Sequence, residues 1–572
     1  MKKVLCIIIS LILTAELAAC GQRNGKTGVG TGQEGVIEAI DWSGYDRLLD
    51  EAAAETDMEK RALIMHKAED MLMDTGAVIP IAGGCLNYLL RPGVKGVYTN
   101  SKGAGDFSRI YKEGASPDEP IDLNAVTEIP TLDCGGTQTG DLYIISMAIG
   151  GGLVRISEDG TQVPDLAESY EVSDDGLVYS FRMRDGLKWS DGTPLTADDF
   201  VYSWNRTADE KNGLEPREMF SVISGYPGKL DISSSEEGKV FNVRLKSPCA
   251  YFTDLCTYVA YNVVKKDQVE SAPGYRDADG NIVNPMGWAN EAGFVSCGAY
   301  TVEDWQHGKS MTLRKNPNYY AADEITTETL HLMINADAAS SYAAYESGDL
   351  DLLVGRIPSD ILPVLAGRED FYVQETLTTS YLLYNVQSEL YEGMTAEEAC
   401  TFRKALGYAI DREFIRDIAM NGIIPVATRY VPGNIHDGTG GVFSELPDGY
   451  SYPYEDGYYP VKPDLDTARR MMESVGFTFG DDGKLEEMIT MEYMVNPSPS
   501  NEAVATCLQA DFAALGINLV ISTMEWAVFL GERQNGRFET ARSTWNADYD
   551  DAITMLEVFR SGASANDARL GK

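Results

Sequence analysis

The segment "ARSTWNADYDDA" (541–552) gathers more reactive chemistry than any other short stretch, with Asp548, Asp550 and Asp551 close behind Arg542, Ser543, Trp545 and Asn546. Paired carboxylates suit glycoside hydrolysis only when they flank one substrate at a set separation, and adjacent residues such as Asp550-Asp551 rarely face the same substrate. The four histidines, His66, His307, His331 and His436, are scattered, so the sequence offers no imidazole-built metal site. "DADG" (277–280) and "DDG" (481–483) share glycine and acid content with calcium loops, but the twelve-residue alternation ending in glutamate is missing, and both read as turns. Serine and cysteine nucleophile motifs are absent.

These residues sit in a chain of 572 residues with ordinary globular composition, 44% apolar and 24% charged. Lys+Arg is 47 against Asp+Glu 88, a net charge of −41. That balance argues against nucleic-acid or anionic-lipid partners, which need clustered cations. At the N-terminus, Lys2 and Lys3 precede a mostly apolar run, Val4 to Ala15, which is short for a membrane span. Leu17-Ala18-Ala19-Cys20-Gly21 resembles a bacterial lipoprotein processing site, with Cys20 as the lipidated residue after a signal peptide at 1–19. The Gly-rich, polar stretch that follows, 20–35, reads as a flexible tether. Apart from Cys6 and Cys20, the cysteines are dispersed and odd in number. Cys249 and Cys256 are the nearest pair, but small buried thiols are the simpler reading.

The positioning elements are mixed helix and strand. Residues 44–55 predict a helix, and Thr56 with Glu59 forms a capping box for a second helix through about Met73. Val78 to Ala82 reads as a short strand. "GLVYSFRMR" (176–184) alternates cleanly, with Tyr179, Phe181 and Met183 on one face. Thr196 caps a helix from Ala197 to about Arg206. Further helices are expected at 338–348, 398–420, 465–475, 501–515 and 526–534, and strands at 240–246, 298–305, 310–315, 328–334, 379–386, 488–495 and 517–523.

"VPDLAESYEVSDDGLVYSFRMRDGLKWSDGTPLTADDFVYSWNR" (163–206) resembles the signature stretch of the extracellular solute-binding proteins, family 5, of peptide ABC transporters. "GAYTVEDWQHGKSMTLRKNPNYY" (298–320), "FRKALGYAIDREFI" (402–415) and "ARSTWNADYDDA" (541–552) resemble further segments of that family, in its order. The resemblance implies an α/β, two-lobed periplasmic-binding-protein-like fold (class II type) with three discontinuous domains: 87–150 with 286–377, 151–285, and 378–572. One departure is large. Segments that resemble the family's C-terminal part, 42–81, 88–99 and 106–111, stand at the front, ahead of the usual first strand near 121–133. This order reads as a circular permutation, with 36–86 completing the third domain, or as a rearranged gene joining two parts; nearby surface termini make the first workable.

The resemblance further implies an extracytoplasmic, lipid-anchored monomer that hands oligopeptides to ABC permease subunits, without catalysis or cofactor. The same scaffold with another cargo (a nickel chelate, haem or a sugar) and an acid-based extracellular hydrolase are the competing readings. Any broad peptide carrier must hold what peptides share, the backbone and the two charged ends. By resemblance, Asp548 receives the α-ammonium; otherwise it caps the following helix. Ser543 to Asn546 would flank the peptide on one side and Thr137, Gln138, Thr139 and Gly140 on the other. Trp545 and Trp526 read as side-chain pocket walls or as ordinary core, and Arg542 as a carboxylate partner or a surface arginine. Cys134 stands where proline is usual after "TLD", and Gly407 where some members place a cation. The hinge is expected near 82–88 and 376–380.

Overall fold

The computed structural model describes residues 40–572 apart from 100, 102–104, 126–128, 137–147, 158–159, 356 and 455–456. Cys20, the leader, the tether and Thr137, Gln138, Thr139 and Gly140 lie outside the described residues.

A ten-stranded mixed sheet runs through the molecule in the order Tyr300–Gln306, Ser310–Lys315, Thr329–Ile334, Ile121–Ala125, Leu352–Val354, Val78–Leu90, Phe371–Tyr384, Thr540–Asn546, Ile489–Val495, Ile517–Thr523. A separate four-stranded antiparallel sheet orders Ile232–Ser235, Val240–Arg244, Val178–Met183 and Ala167–Val172. The alternation at 176–184 fits this sheet: Tyr179, Phe181 and Met183 are buried and Arg182 is exposed.

Three large apolar cores form around these sheets. One joins the front helices to the C-terminal third, from Trp42 and Tyr45 to Phe512 and Leu570. A second, with Phe181 and Trp204, spans Leu153 to Cys297. The third, with Tyr300 and Leu123, spans Tyr88 to Leu352. The strands Val78–Leu90 and Phe371–Tyr384 are far longer than the short runs expected at 78–82 and 379–386. Ala77 to Ile79, Ile81, Ala82, Leu377 and Tyr381 to Tyr384 lie in the first core, whereas Tyr88 and Leu90 lie in the third. The two strands therefore form an antiparallel ribbon from one core to the other. Its register shifts at Pro80/Ala82 and again at Gly83/Gly84, where Gly83 faces Thr379 and Gly84 faces Thr376. The glycine pair that interrupts the apolar run does not end the strand; it makes a bulge, which bends a strand without ending its pairing.

Several local expectations hold. Thr196 caps Ala197–Ala208 in a full capping box with Asp199. The helices Ala338–Ser347, Leu465–Ser474, Pro499–Ala513 and Trp526–Gln534 sit where their patterns put them. Two do not. The helix Met58–Asp74 is capped by Asp57, whose carboxylate accepts from the Lys60 amide, and not by Thr56. The run 398–420 is two helices, Ala396–Tyr408 and Arg412–Ala419, because Asp411 caps the second through the Phe414 amide. Both acid-glycine loops are turns: Asp277 accepts from the Asp279 and Asn281 amides, and Asp482 from the Lys484 amide. All seven described cysteines are free thiols, and Cys249 and Cys256 are both buried.

Candidate functional site

Three strands of the large sheet, Ile489–Val495, Ile517–Thr523 and Thr540–Asn546, run parallel to one another. Their carboxyl ends open onto one edge, the usual place for a ligand in an α/β sheet. Asn496, Trp526 and Asp548 follow those ends, and the helices Pro499–Ala513 and Trp526–Gln534 begin there. Two helix N-termini add partial positive charge to that edge.

Period-two geometry sorts the residues of the last strand. Arg542, Thr544 and Asn546 share one face. Across from them, Ser380 Oγ lies 3.0 Å from Thr544 Oγ1, and Thr378 Oγ1 donates to Asn546 Oδ1 at 2.8 Å. Ser543 and Trp545 turn the other way. Ser543 is buried and accepts from the Arg533 guanidinium at 3.2 Å, while Trp545 packs against the first core with its indole nitrogen buried. The expected flanking segment 543–546 thus splits between the two faces of the sheet, with Ser543 and Trp545 on the side packed against the first core.

Arg542 Nη1 donates to Asn496 Oδ1 at 2.8 Å, and its guanidinium lies 6.0 Å from the Phe529 ring centre. No carboxylate among the described residues pairs with it, and burial lowers its proton affinity below the usual arginine value. Trp526 is 50% exposed and stacks on Phe529 with centroids 5.7 Å apart, so it lies at the surface and not in the core.

Asp548 lies just past the strand. Its amide donates to Thr554 Oγ1 at 3.2 Å, and Thr554 Oγ1 donates back to its carboxylate at 3.4 Å. The short helix Ile553–Leu556 has no side-chain cap from Asp548; Asp551 accepts from its Ile553 amide at 3.0 Å. Asp548 is solvent-exposed, and the neighbouring protein mass strips only part of its water; that partial loss raises its proton affinity above the ordinary carboxylate value, with the Thr554 hydrogen bond opposing. Tyr258, across from it, has its own phenol pushed up by burial and by the Asp548 charge. No cation among the described residues neutralises Asp548. What results is one anionic and one cationic side chain, each without an oppositely charged partner, on the same sheet edge.

Sequence reasoning missed the floor beside them. A cavity of about 350 Å³ is lined by Gly84, Cys85, Thr376, Thr378, Asn546 and Ala547, where the ribbon bulges. Ala547 donates its amide to Leu377 O at 2.8 Å, which ties the bulge to the residue preceding Asp548. The Gly83-Gly84 pair inside an apolar run was the available signal. Gly407 packs under Tyr459 and leaves no room for a side chain: a Cβ there would lie 2.3 Å from the ring.

A model of the bacterial extracellular solute-binding proteins, family 5, matches residues 161–567. The chain belongs to this family. Among curated relatives of this solute-binding protein, the dipeptide-binding protein DppE of Bacillus subtilis is 26% identical over 488 residues, covering 83% of this chain and 80% of that one. The periplasmic oligopeptide-binding protein OppA of Salmonella typhimurium is 27% identical over 470 residues, 78% of each chain. The probable deoxycholate-binding periplasmic protein YgiS of Escherichia coli is 24% identical over 469 residues, 79% of this chain and 80% of that one. Among solved structures, Haemophilus influenzae OppA in complex with RPPGFSPFR superposes with a TM-score of 0.56 at 22% identity, covering 79% of this chain and 84% of that one. MppA, a murein tripeptide-binding protein in its unliganded open form, gives 0.61 at 22% identity, with 80% and 84% covered. The solute-binding protein therefore shares their two-lobed fold.

Proposed function

We propose that this chain is an extracytoplasmic receptor that captures peptides and delivers them to an ABC permease, with no catalytic step of its own. The observation that carries the reading is Asp548: a carboxylate on the ligand edge with no cation among the described residues to pair with it, the group an α-ammonium would complete. Arg542 supplies the complementary charge for a carboxylate end, and the Thr378, Ser380, Thr544 and Asn546 row supplies polar partners along the way. A bile salt has a carboxylate but no ammonium, so a cargo of that kind would leave Asp548 unmatched.

Closure is proposed to bend the ribbon at its bulges, near 82–88 and 376–380. The front segment 36–86 is proposed to belong with 378–572 as one domain in permuted order, and Cys20 to carry a lipid anchor that holds a monomer at the membrane surface. Among the described residues no helix is long and apolar enough to cross a membrane. Denaturing the purified protein and identifying released small molecules by mass spectrometry tests the cargo: peptides with free amino termini are expected, and a reproducible non-peptide cargo would contradict the reading.

A further inference from the structure

A short chain of contacts crosses between the core around Trp204 and the core around Tyr45, close to Asp548. Tyr251 stacks on Tyr549 with centroids 4.0 Å apart and planes 8° apart. The Asp550 amide donates to Asp254 Oδ2 at 2.9 Å, which brings two carboxylate residues together from opposite sides. Gln162 Nε2 donates to the other Asp254 oxygen at 3.3 Å. Asp550 is held from its own side by His436, whose backbone amide donates to Oδ1 at 2.8 Å and whose Nδ1 lies 2.7 Å from Oδ2. The Asp550 side chain is 9% exposed and that of His436 49%. His436, Asp550, Asp254 and Gln162 thus form one continuous path from core to core.

We infer that this path is a proton-controlled latch on the ligand cleft: protonated His436 steadies Asp550 against Asp254 and favours the closed state, and loss of that proton loosens it. The inference rests on the proposed closure over ligand. Three acids face His436: Asp550 from the loop after the last strand, Asp254 from the short helix Phe252–Leu255, and Asp437 from its own loop. The hydrogen bond to Asp550 is the largest cause raising its proton affinity above the ordinary 6.5, and burial is the opposing one. The sign follows. A histidine whose affinity is raised in the closed state contributes fully below pH 6.5 and loses that contribution as pH rises through the raised value. Above it, neutral His436 no longer offsets the negative charge of Asp550 and Asp254. Ligand is then held more firmly in acidic surroundings and released more readily in alkaline ones.

Hydrogen exchange of the full, ligand-free protein at pH 5.5 and 8.5, corrected for intrinsic rates, reads the latch at the Asp550 amide. A half-exposed pair supports an effect of roughly two- to five-fold. Wild-type protection is expected to fall by that factor at pH 8.5 relative to amides of Ile489–Val495. His436→Gln is expected to give the low value at both pH values. Asp254→Asn, which keeps an acceptor oxygen and removes the repulsion, is expected to give the high value at both. Glu69 holds the same loop through the Tyr430 and Val431 amides and is pushed up to about 7 by burial; His436→Gln retains it and so separates the two groups. Wild-type protection that ignores pH, or a pH response unchanged in both variants, would overturn the latch. Calorimetry with a peptide at both pH values separates the two claims. His436→Gln is the control, because loss of the peptide's own ammonium proton at about pH 8 weakens binding to both proteins alike: a pH response equal in the two overturns the latch and leaves the peptide reading standing, whereas the exchange pattern without any peptide binding supports the latch and removes the peptide reading.

Discussion

Arg61 grips Asp551 with both guanidinium arms, at 2.6 and 2.9 Å, across 490 positions of sequence, with side chains only 2% and 4% exposed. The pair pins the front helix Met58–Asp74 to the loop that carries Asp548. Trp42 donating to Phe559 O and Tyr45 to Leu556 O, at 2.7 and 2.6 Å, fasten the same seam. Arg61→Met should leave Asp551 buried and unpaired and cost about 3–5 kcal/mol. The double variant Arg61→Met/Asp551→Leu should recover most of that loss. Urea unfolding of the three proteins checks both statements; an Arg61→Met protein as stable as wild type would contradict them.

His66 should make the protein acid-sensitive. Its ring is sandwiched between Phe443 and Tyr450, with centroids 3.9 and 4.6 Å away, and burial pushes its proton affinity down from 6.5 to about 4. The unfolded chain takes up a proton from pH 6.5 downward that the fold refuses until about 4, so stability falls across that window by about 3 kcal/mol, at ~1.4 kcal/mol per pH unit. Glu69, raised from 4.5 to about 7, opposes it: its contribution is lost as pH rises through that range. His66→Phe removes only the first effect. Between pH 7 and 4, the variant should therefore lose about 3 kcal/mol less than wild type by denaturant titration, whatever its stability at pH 7.

Gly84 is the tightest point of the ribbon. A Cβ there would lie 2.6 Å from both Thr376 Oγ1 and Thr378 Cβ, so Gly84→Ala must shift the bulge. A cost of about 1–3 kcal/mol is expected in thermal unfolding, as for other overpacked sites. Because the bulge abuts Ala547, ligand affinity should fall as well. Small-angle scattering should show a smaller ligand-induced contraction than in wild type.

Arg542 should read the carboxyl end. Arg542→Gln keeps a donor for Asn496 and removes the charge. Affinity for a peptide with a free C-terminus should fall at least several-fold, while an amidated peptide should bind both proteins alike. Equal loss for both peptides would point to a packing role over Phe529.

Local patterns were legible where one segment determines its own structure. The alternation of Tyr179, Phe181 and Met183 and the Thr196 cap needed no distant partner. The ribbon was not legible, because Val78–Leu90 is extended by its partner Phe371–Tyr384 and the two glycines look like a stop from within one strand. At the site, resemblance pointed to Asp548, Arg542 and Trp526, but it could not tell that Ser543 and Trp545 face the core, since that depends on which side of the sheet is covered. Arg61–Asp551 and the contacts of Asp550 with Asp254 and His436 join distant segments, and no spacing announces them.

The central claim is that Asp548 anchors a peptide amino terminus, and calorimetry on four combinations tests it most directly: wild type and Asp548→Asn, each with a free and an N-acetylated peptide. Removing one partner of a buried charge pair costs about 2–5 kcal/mol. At ~1.4 kcal/mol per decade, Asp548→Asn should weaken binding by roughly 30-fold to several-thousand-fold. Acetylation should weaken wild-type binding comparably and add little further in the variant, because both changes delete the same pair. Equal binding of free and acetylated peptides to the wild type would contradict the account.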